Sequence, residues 1–156
     1  MYFVRVFLET SMKGPRRGDG WYGYLLETLT KKEEIRTLHQ VVMEKDVTAN
    51  QLHLKALIAA LGRLNQACEV EVYTSSLYLR GNYENHLQVW KEGGWLTARG
   101  EPVKNRELWK EVYELGQKQF IRFSGAYQYE YKSWLCTQIA EQRRLASLPG
   151  RRRACG

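Results

Sequence analysis

WKEGGWLTARGEPVKNRELW, residues 90–109, ends one helix, breaks the chain and starts another. The Gly93-Gly94 pair interrupts a helical pattern over residues 76–91, because glycine loses more backbone freedom in a helix than other residues do. A loop follows through Gly100, and a helix resumes over 104–115 with Leu108, Val112 and Leu115 on one stripe. Trp90, Trp95 and Trp109 place large apolar surfaces on both sides of the break, which suits packing of the flanking helices. Lys91, Arg99, Lys104, Arg106 and Lys110 make the same stretch basic.

Upstream, VEVYT at 70–74 alternates like a short strand. Before it, Thr48 and Asn50 are both candidate helix N-caps, since a side-chain oxygen can accept from an orphan amide. Leu54, Leu57, Ile58 and Leu61 then recur at helical spacing, and Gly62 and Asn65 mark the end. Residues 2–8, YFVRVFL, place Phe3 and Val4 beside alternating residues rich in strand formers and read as a buried first strand. KGPRRGDG at 13–20 is a turn-rich connection to a second strand, GWYGYLLET, and residues 33–43 form a third through Ile35, Leu38, Val41 and Val42. Downstream, QFIRF at 119–123 is a fifth strand, and a last helix runs from Tyr131 to Leu145 with Leu135, Ile139 and Ala140 facing inward. Three strands, helix, strand, two helices, strand, helix is a mixed α/β order. It predicts a five-stranded mixed sheet, a three-strand antiparallel meander plus parallel strands, flanked by helices.

The 156 residues fit one domain, expected over 1–146, with 147–156 as a disordered basic tail carrying Arg151, Arg152 and Arg153. A composition 44% hydrophobic and 26% charged excludes a disordered chain. No apolar run is long enough for a membrane span, and the N-terminus lacks a signal-peptide pattern, so a cytoplasmic location is expected. Cys68, Cys136 and Cys155 are odd in number and lack CxxC spacing, which argues against a disulfide framework or a zinc site. The net charge of +7 favours a polyanionic partner, because neutralising phosphates releases condensed counterions.

Several strings resemble the type 1 ribonuclease H family. Residues 90–109 are similar to that family's handle: a Trp-rich helix end, Gly-Trp, a basic loop, Pro-Val-Lys-Asn and Leu-Trp. VRVFLETS is similar to its first strand ending in Asp-Gly-Ser, and ANQLHLKALIAAL to its first-helix opening Asn-Asn-Arg-Met-Glu-Leu. YTSSLYL is similar to Tyr-Thr-Asp-Ser-x-Tyr-Val, and Cys136-Thr137-Gln138-Ile139-Ala140 to Cys-Asp-x-Leu-Ala. The resemblance implies a ribonuclease H-like fold and a site where four acidic side chains hold two magnesium ions. Residue by residue, those positions fall on Glu9, His53, Ser75 and Thr137, and the family's mobile His loop falls on SGAYQYEY at 124–131, which has no histidine. The chain therefore reads as a divergent member with three of four metal-ligand carboxylates replaced. Magnesium prefers charged oxygen ligands, which a hydroxyl or a neutral imidazole does not supply, so neither a catalytic set nor a metal or other cofactor is expected.

Glu9 is open to three roles: relic ligand, base, or partner of a nearby cation. His53 either joins Glu9 around a softer metal or hydrogen-bonds to it, the second being favoured because two ligands are too few for a metal site. Ser75, His53 and Glu9 as a catalytic triad would lack any accompanying oxyanion-hole motif. Lys13, Arg16 and Arg17 are placed beside this site, where guanidinium groups can grip phosphate oxygens in place of metal. The resemblance puts Thr48 and Asn50 at nucleic-acid backbone and minor-groove contacts, and Trp90, Lys91, Trp95, Arg99, Lys104, Arg106 and Lys110 along a duplex groove. Tyr127, Tyr129 and Tyr131 alternate as if to present one exposed aromatic face to a partner. Three functions compete. The favoured one is an inactive ribonuclease H-like protein, a pseudoenzyme that binds an RNA–DNA hybrid or another duplex. The others are a protein-binding or inhibitory domain, such as a phage or mobile-element product blocking a nucleic-acid enzyme, and a residual ribonuclease dependent on Mg²⁺ or Mn²⁺.

Overall fold

The computed structural model describes residues 1–126 and 129–149; Tyr127 and the tail from Gly150 onward lie outside the described residues. The order is β1 (Tyr2–Thr10), β2 (Gly18–Leu29), β3 (Ile35–Val47), α1 (Ala49–Leu61), β4 (Cys68–Tyr73), α2 (Leu77–Asn85), α3 (Leu87–Glu92), α4 (Arg106–Gly116), β5 (Phe120–Phe123) and α5 (Lys132–Ala146). The five strands form one sheet in the order β3-β2-β1-β4-β5. β1 pairs antiparallel with β2 and β2 with β3, whereas β4 lies parallel to β1 and β5 parallel to β4. The expected mixed α/β sheet is the one observed.

The parity of β1 organises the molecule. Val4, Val6 and Leu8 point to one face, beside Tyr24 and Leu26 of β2 and Val70 and Val72 of β4. Against them α1 buries Leu52, Leu54, Leu57 and Leu61, each side chain contributing about 1.5–3 kcal/mol of burial. Arg5, Phe7 and Glu9 point to the opposite face, where α5 packs through Leu135 and Ile139. Gly23 of β2 lets that helix approach, since a Cβ there would sit 3.1 Å from both Ile139 and Leu135.

Four local expectations are corrected. The helix expected over 76–91 is two helices, because the backbone departs from helical geometry at His86, whose ring nitrogen bonds the Asn82 amide oxygen at 2.9 Å. α4 turns Trp109 and Val112 fully inward, leaving Leu108 and Leu115 only half-buried, because the Trp109 indole N–H donates to the Tyr78 hydroxyl at 3.0 Å. Phe3 is exposed rather than buried, since no helix reaches over the start of β1 on its side of the sheet. Ala140 is exposed because α5 lays only a narrow Leu135–Ile139 stripe on the sheet.

Candidate functional site

Glu9 stands near the C-terminal end of β1 and is only 7% exposed. The Tyr129 hydroxyl donates to its Oε2, and the Cys136 thiol approaches Oε1 at 3.4 Å. Burial, reinforced by the Glu9 carboxylate, holds the Tyr129 phenol well above the ordinary tyrosine range. Burial and then Glu9 also push the Cys136 thiol up. Both groups therefore keep their protons at neutral pH. The Tyr129 ring is fixed in turn, stacked on Phe7 with centroids 4.8 Å apart.

His53 does not complete this cluster. Its expected hydrogen bond to Glu9 is absent, and its buried Nδ1 has no hydrogen-bond partner among the described residues. Burial lowers its pKa to about 4, so the imidazole is neutral at pH 7. Ser75 is exposed in the turn after β4, while its neighbour Ser76 is buried and caps α2 by accepting from the Leu79 amide at 3.0 Å. Thr137 is exposed on α5, and the thiol beside it is what faces Glu9. Among the described residues, no group of three or more His, Cys, Asp or Glu side chains converges to hold a metal ion. One carboxylate already engaged by a phenol and a thiol does not match the charge-rich oxygen set that paired magnesium ions need, so the residues do not fit that group.

Tyr129 and Tyr131 do not make an exposed aromatic face. Tyr129 is half-buried on Glu9 and Phe7; Tyr131 sets its edge against Phe7 at 5.1 Å and donates to Glu27 at 2.5 Å. That expectation is corrected for both residues, because Phe7 offers them an apolar floor and the two carboxylates offer acceptors.

The handle and the start of α1 form one unit. Thr48 is the N-cap of α1, in a reciprocal capping box with Gln51, whereas Asn50 lies within the first turn and is exposed. Gln51 also donates to the Asn105 side chain at 3.2 Å, and Asn105 donates to the Tyr78 hydroxyl at 3.0 Å. Asn105 has a left-handed backbone, φ 60°, a conformation asparagine tolerates better than most residues. Sequence reading missed Gln51, Tyr78 and Asn105. Of the three, only Gln51 left a signal, three residues after a threonine cap.

Of the aromatic candidates, Trp109 is fully buried, Trp90 packs on it at 5.5 Å, and Trp95 sets its edge against Tyr113 at 6.0 Å. These three hold the handle together. Among the cations, Arg17 pairs with Asp46, while Arg106 and Lys110 both lie beside Glu107. Lys91 rests over the Tyr113 ring at 5.7 Å. Lys13, Arg16, Arg99 and Lys104 are exposed and take part in no ion pair among the described residues. α4 also carries Glu107, Glu111 and Glu114 around one shallow cavity, so the handle's unpaired positive charge lies in its loop and not on that helix.

A family model described as RNase H matches residues 4–125. The chain belongs to the type 1 ribonuclease H family. The ribonuclease H of Acetivibrio thermocellus is 36% identical over 121 residues, 77% of this chain and 78% of that protein. Solved structures share the fold at lower identity. LC9-RNase H1, a type 1 RNase H with the type 2 active-site motif, superposes with a TM-score of 0.74 at 20% identity, covering 90% of this chain and 71% of that one. The foamy viral protease-reverse transcriptase in complex with an RNA/DNA hybrid gives a TM-score of 0.66 at 16% identity, over 90% of this chain and 19% of that one. Among the described residues of this ribonuclease H-like chain, no helix is long and apolar enough to cross a membrane.

Proposed function

We propose that this chain is a catalytically silent ribonuclease H that binds a nucleic-acid duplex, an RNA–DNA hybrid or another A-like helix, in the cytoplasm. The observation that carries the reading is the state of Glu9, the one acidic side chain among the four ligand positions, closed by Tyr129 and Cys136. The neutral, unpartnered His53 adds no negative charge there. A pocket with so little negative charge lacks the means to gather two divalent cations, and it repels a phosphate backbone less.

Binding is assigned to three places. Lys13 and Arg16 flank the closed site, Thr48 and Asn50 mark the start of α1, and Arg99 and Lys104 project from the handle loop. These groups recognise backbone phosphates and the shape of a wide minor groove more than base sequence. The Gln51–Asn105 hydrogen bond holds the second and third of these places at a fixed spacing. Arg151, Arg152 and Arg153 add sequence-independent attraction from the tail. The solved hybrid complex of the foamy viral relative supports the same ligand class.

Titration of the full chain with labelled hybrid, double-stranded RNA and double-stranded DNA across salt concentrations tests the reading, alongside incubation of hybrid with Mg²⁺ and with Mn²⁺. The expected result is salt-dependent binding and intact substrate. Absence of binding even at low salt, or cleavage that disappears in Glu9→Gln, overturns it.

A further inference from the structure

The sheet has two edges, and they are guarded unequally. β5, at one end of the strand order, has four residues, whereas β3, at the other, has thirteen. Shortness, proline, bulges and lysines are what keep an edge strand from pairing with another chain. Between Arg36 and Glu44 the edge of β3 has none of these protections. Residues 37–43 read TLHQVVM and keep an unbroken register with β2, whose one irregularity lies beyond them, between Gly18 and Gly20. The run from Ile35 to Lys45 offers about 34 Å of edge, and no strand lies beyond it among the described residues.

Apolar side chains flank this edge on both faces of the sheet. Leu38 and Val42 lie on the α1 side, in line with Leu26 and Tyr22, and Leu38 is 40% exposed. Thr37, His39, Val41 and Met43 lie on the α5 side, where Trp134 of α5 meets the His39 ring edge-on at 4.7 Å and stays 40% exposed. No Lys, Arg, Asp or Glu interrupts either file between Arg36 and Glu44.

We infer that β3 pairs antiparallel with β3 of a second copy, about a twofold axis beside Gln40 and perpendicular to the sheet. In this register Gln40 faces its counterpart, Leu38 faces Val42 of the second copy, and His39, beneath Trp134, faces Val41 of the second copy. Arg36 faces Glu44 of the second copy, so the two charges that bound the uncharged run are opposite in sign where they meet. Each already has a partner of its own, Glu34 for Arg36 and Lys55 for Glu44, and the pairing makes alternating rows of charge. An axis at His39 opposes Glu34 with Glu44, and one at Val41 opposes Leu38 with Glu44, so the side chains select Gln40. Glu34 and Asp46 of the second copy face each other just outside the ladder, each held by its own arginine, Arg36 and Arg17. The turn Lys31-Lys32-Glu33-Glu34 sums to no charge, as do Glu44, Lys45, Asp46 and Arg17 at the other end. Backbone hydrogen bonds and apolar contact therefore drive association, and charge sets its register. α1 and α5 pack mainly on β1 and β2 and stand clear of the axis. One closed twofold covers the long edge of both copies. A single strand-to-strand seam is smaller than the ~800 Å² per partner of a stable interface, so the dissociation constant is on the order of 10 µM.

Sedimentation equilibrium of the full chain under reducing conditions, from about 1 µM to about 300 µM, should show the mass rising from 18.3 kDa toward twice that value. Leu38→Lys sets a guarding charge on the edge and should weaken association more than about tenfold, with unchanged circular dichroism. Glu44→Arg should weaken it about tenfold, and adding Arg36→Glu should restore it. Under mild oxidation, Gln40→Cys should give a covalent dimer above the wild-type background, because residues facing each other across the seam lie within disulfide reach. Leu38→Cys should not, since its counterpart is about 14 Å away. A mass fixed at 18.3 kDa overturns the inference and leaves the edge to a strand of another protein. Association indifferent to Leu38→Lys, a charge exchange that fails to restore it, or Leu38→Cys cross-linking as readily as Gln40→Cys overturns it too.

Discussion

Glu9 is where the chemistry of the chain is decided, and its surroundings make two measurable claims. Tyr129→Phe removes a hydrogen bond to a buried carboxylate and should cost about 1–3 kcal/mol in urea unfolding, without exposing a metal site. His53 sets a pH dependence. Its folded pKa is about 4 against 6.5 unfolded, so between those values the unfolded chain binds the extra proton and stability falls as pH is lowered. The loss approaches about 3 kcal/mol at most once pH is below 4, and His53→Gln should flatten that part of the urea-midpoint profile. His53, Ser75 and Thr137 were legible as neutral residues at the family's acidic positions only through the resemblance of the strings around them. The phenol and thiol that cover Glu9 were not, because residues 120 or more positions apart carry no sign of contact in one sequence.

At the scale of elements, the handle is more a braced structure than a charged one. Its brace is Gln51–Asn105–Tyr78–Trp109, which ties the start of α1 to α4. Asn105→Ala removes two hydrogen bonds and leaves a left-handed backbone on a residue that resists it, so thermal unfolding should show a loss of about 2 kcal/mol. Thr48→Ala should cost about 1 kcal/mol through its cap. If the brace sets the spacing of phosphate contacts, Asn105→Ala should also weaken duplex binding at temperatures where the protein remains folded. Periodicity found the five strands and four helical stretches, because long apolar stripes such as Leu54, Leu57 and Leu61 leave little choice of face. It missed the backbone break at His86 that divides α2 from α3, and it misplaced the α4 stripe, where Trp109 is held inward by its hydrogen bond to Tyr78.

Over the whole molecule, the positive charge is unevenly spent. Arg5, Arg17, Arg80, Arg106 and Arg122 are held in ion pairs, whereas Lys13, Arg16, Arg99 and Lys104 take part in none among the described residues. The affinity for duplex should therefore fall with salt at about 0.9 logarithmic units per phosphate neutralised, and Arg99→Glu with Lys104→Glu should shallow that slope by nearly two such contacts. The strand order was legible because a meander followed by helix-linked strands admits few topologies. The partition of cations was hidden, since pairing depends on which acids the fold brings near. The alternation of β1 has a last consequence. Val4, Val6 and Leu8 there answer to the core beneath α1, while Phe7 and Glu9 are buried on the opposite face in a second core beneath α5. A change on either side of this strand therefore reaches one of two cores, and altering the old catalytic position is at the same time a test of folding.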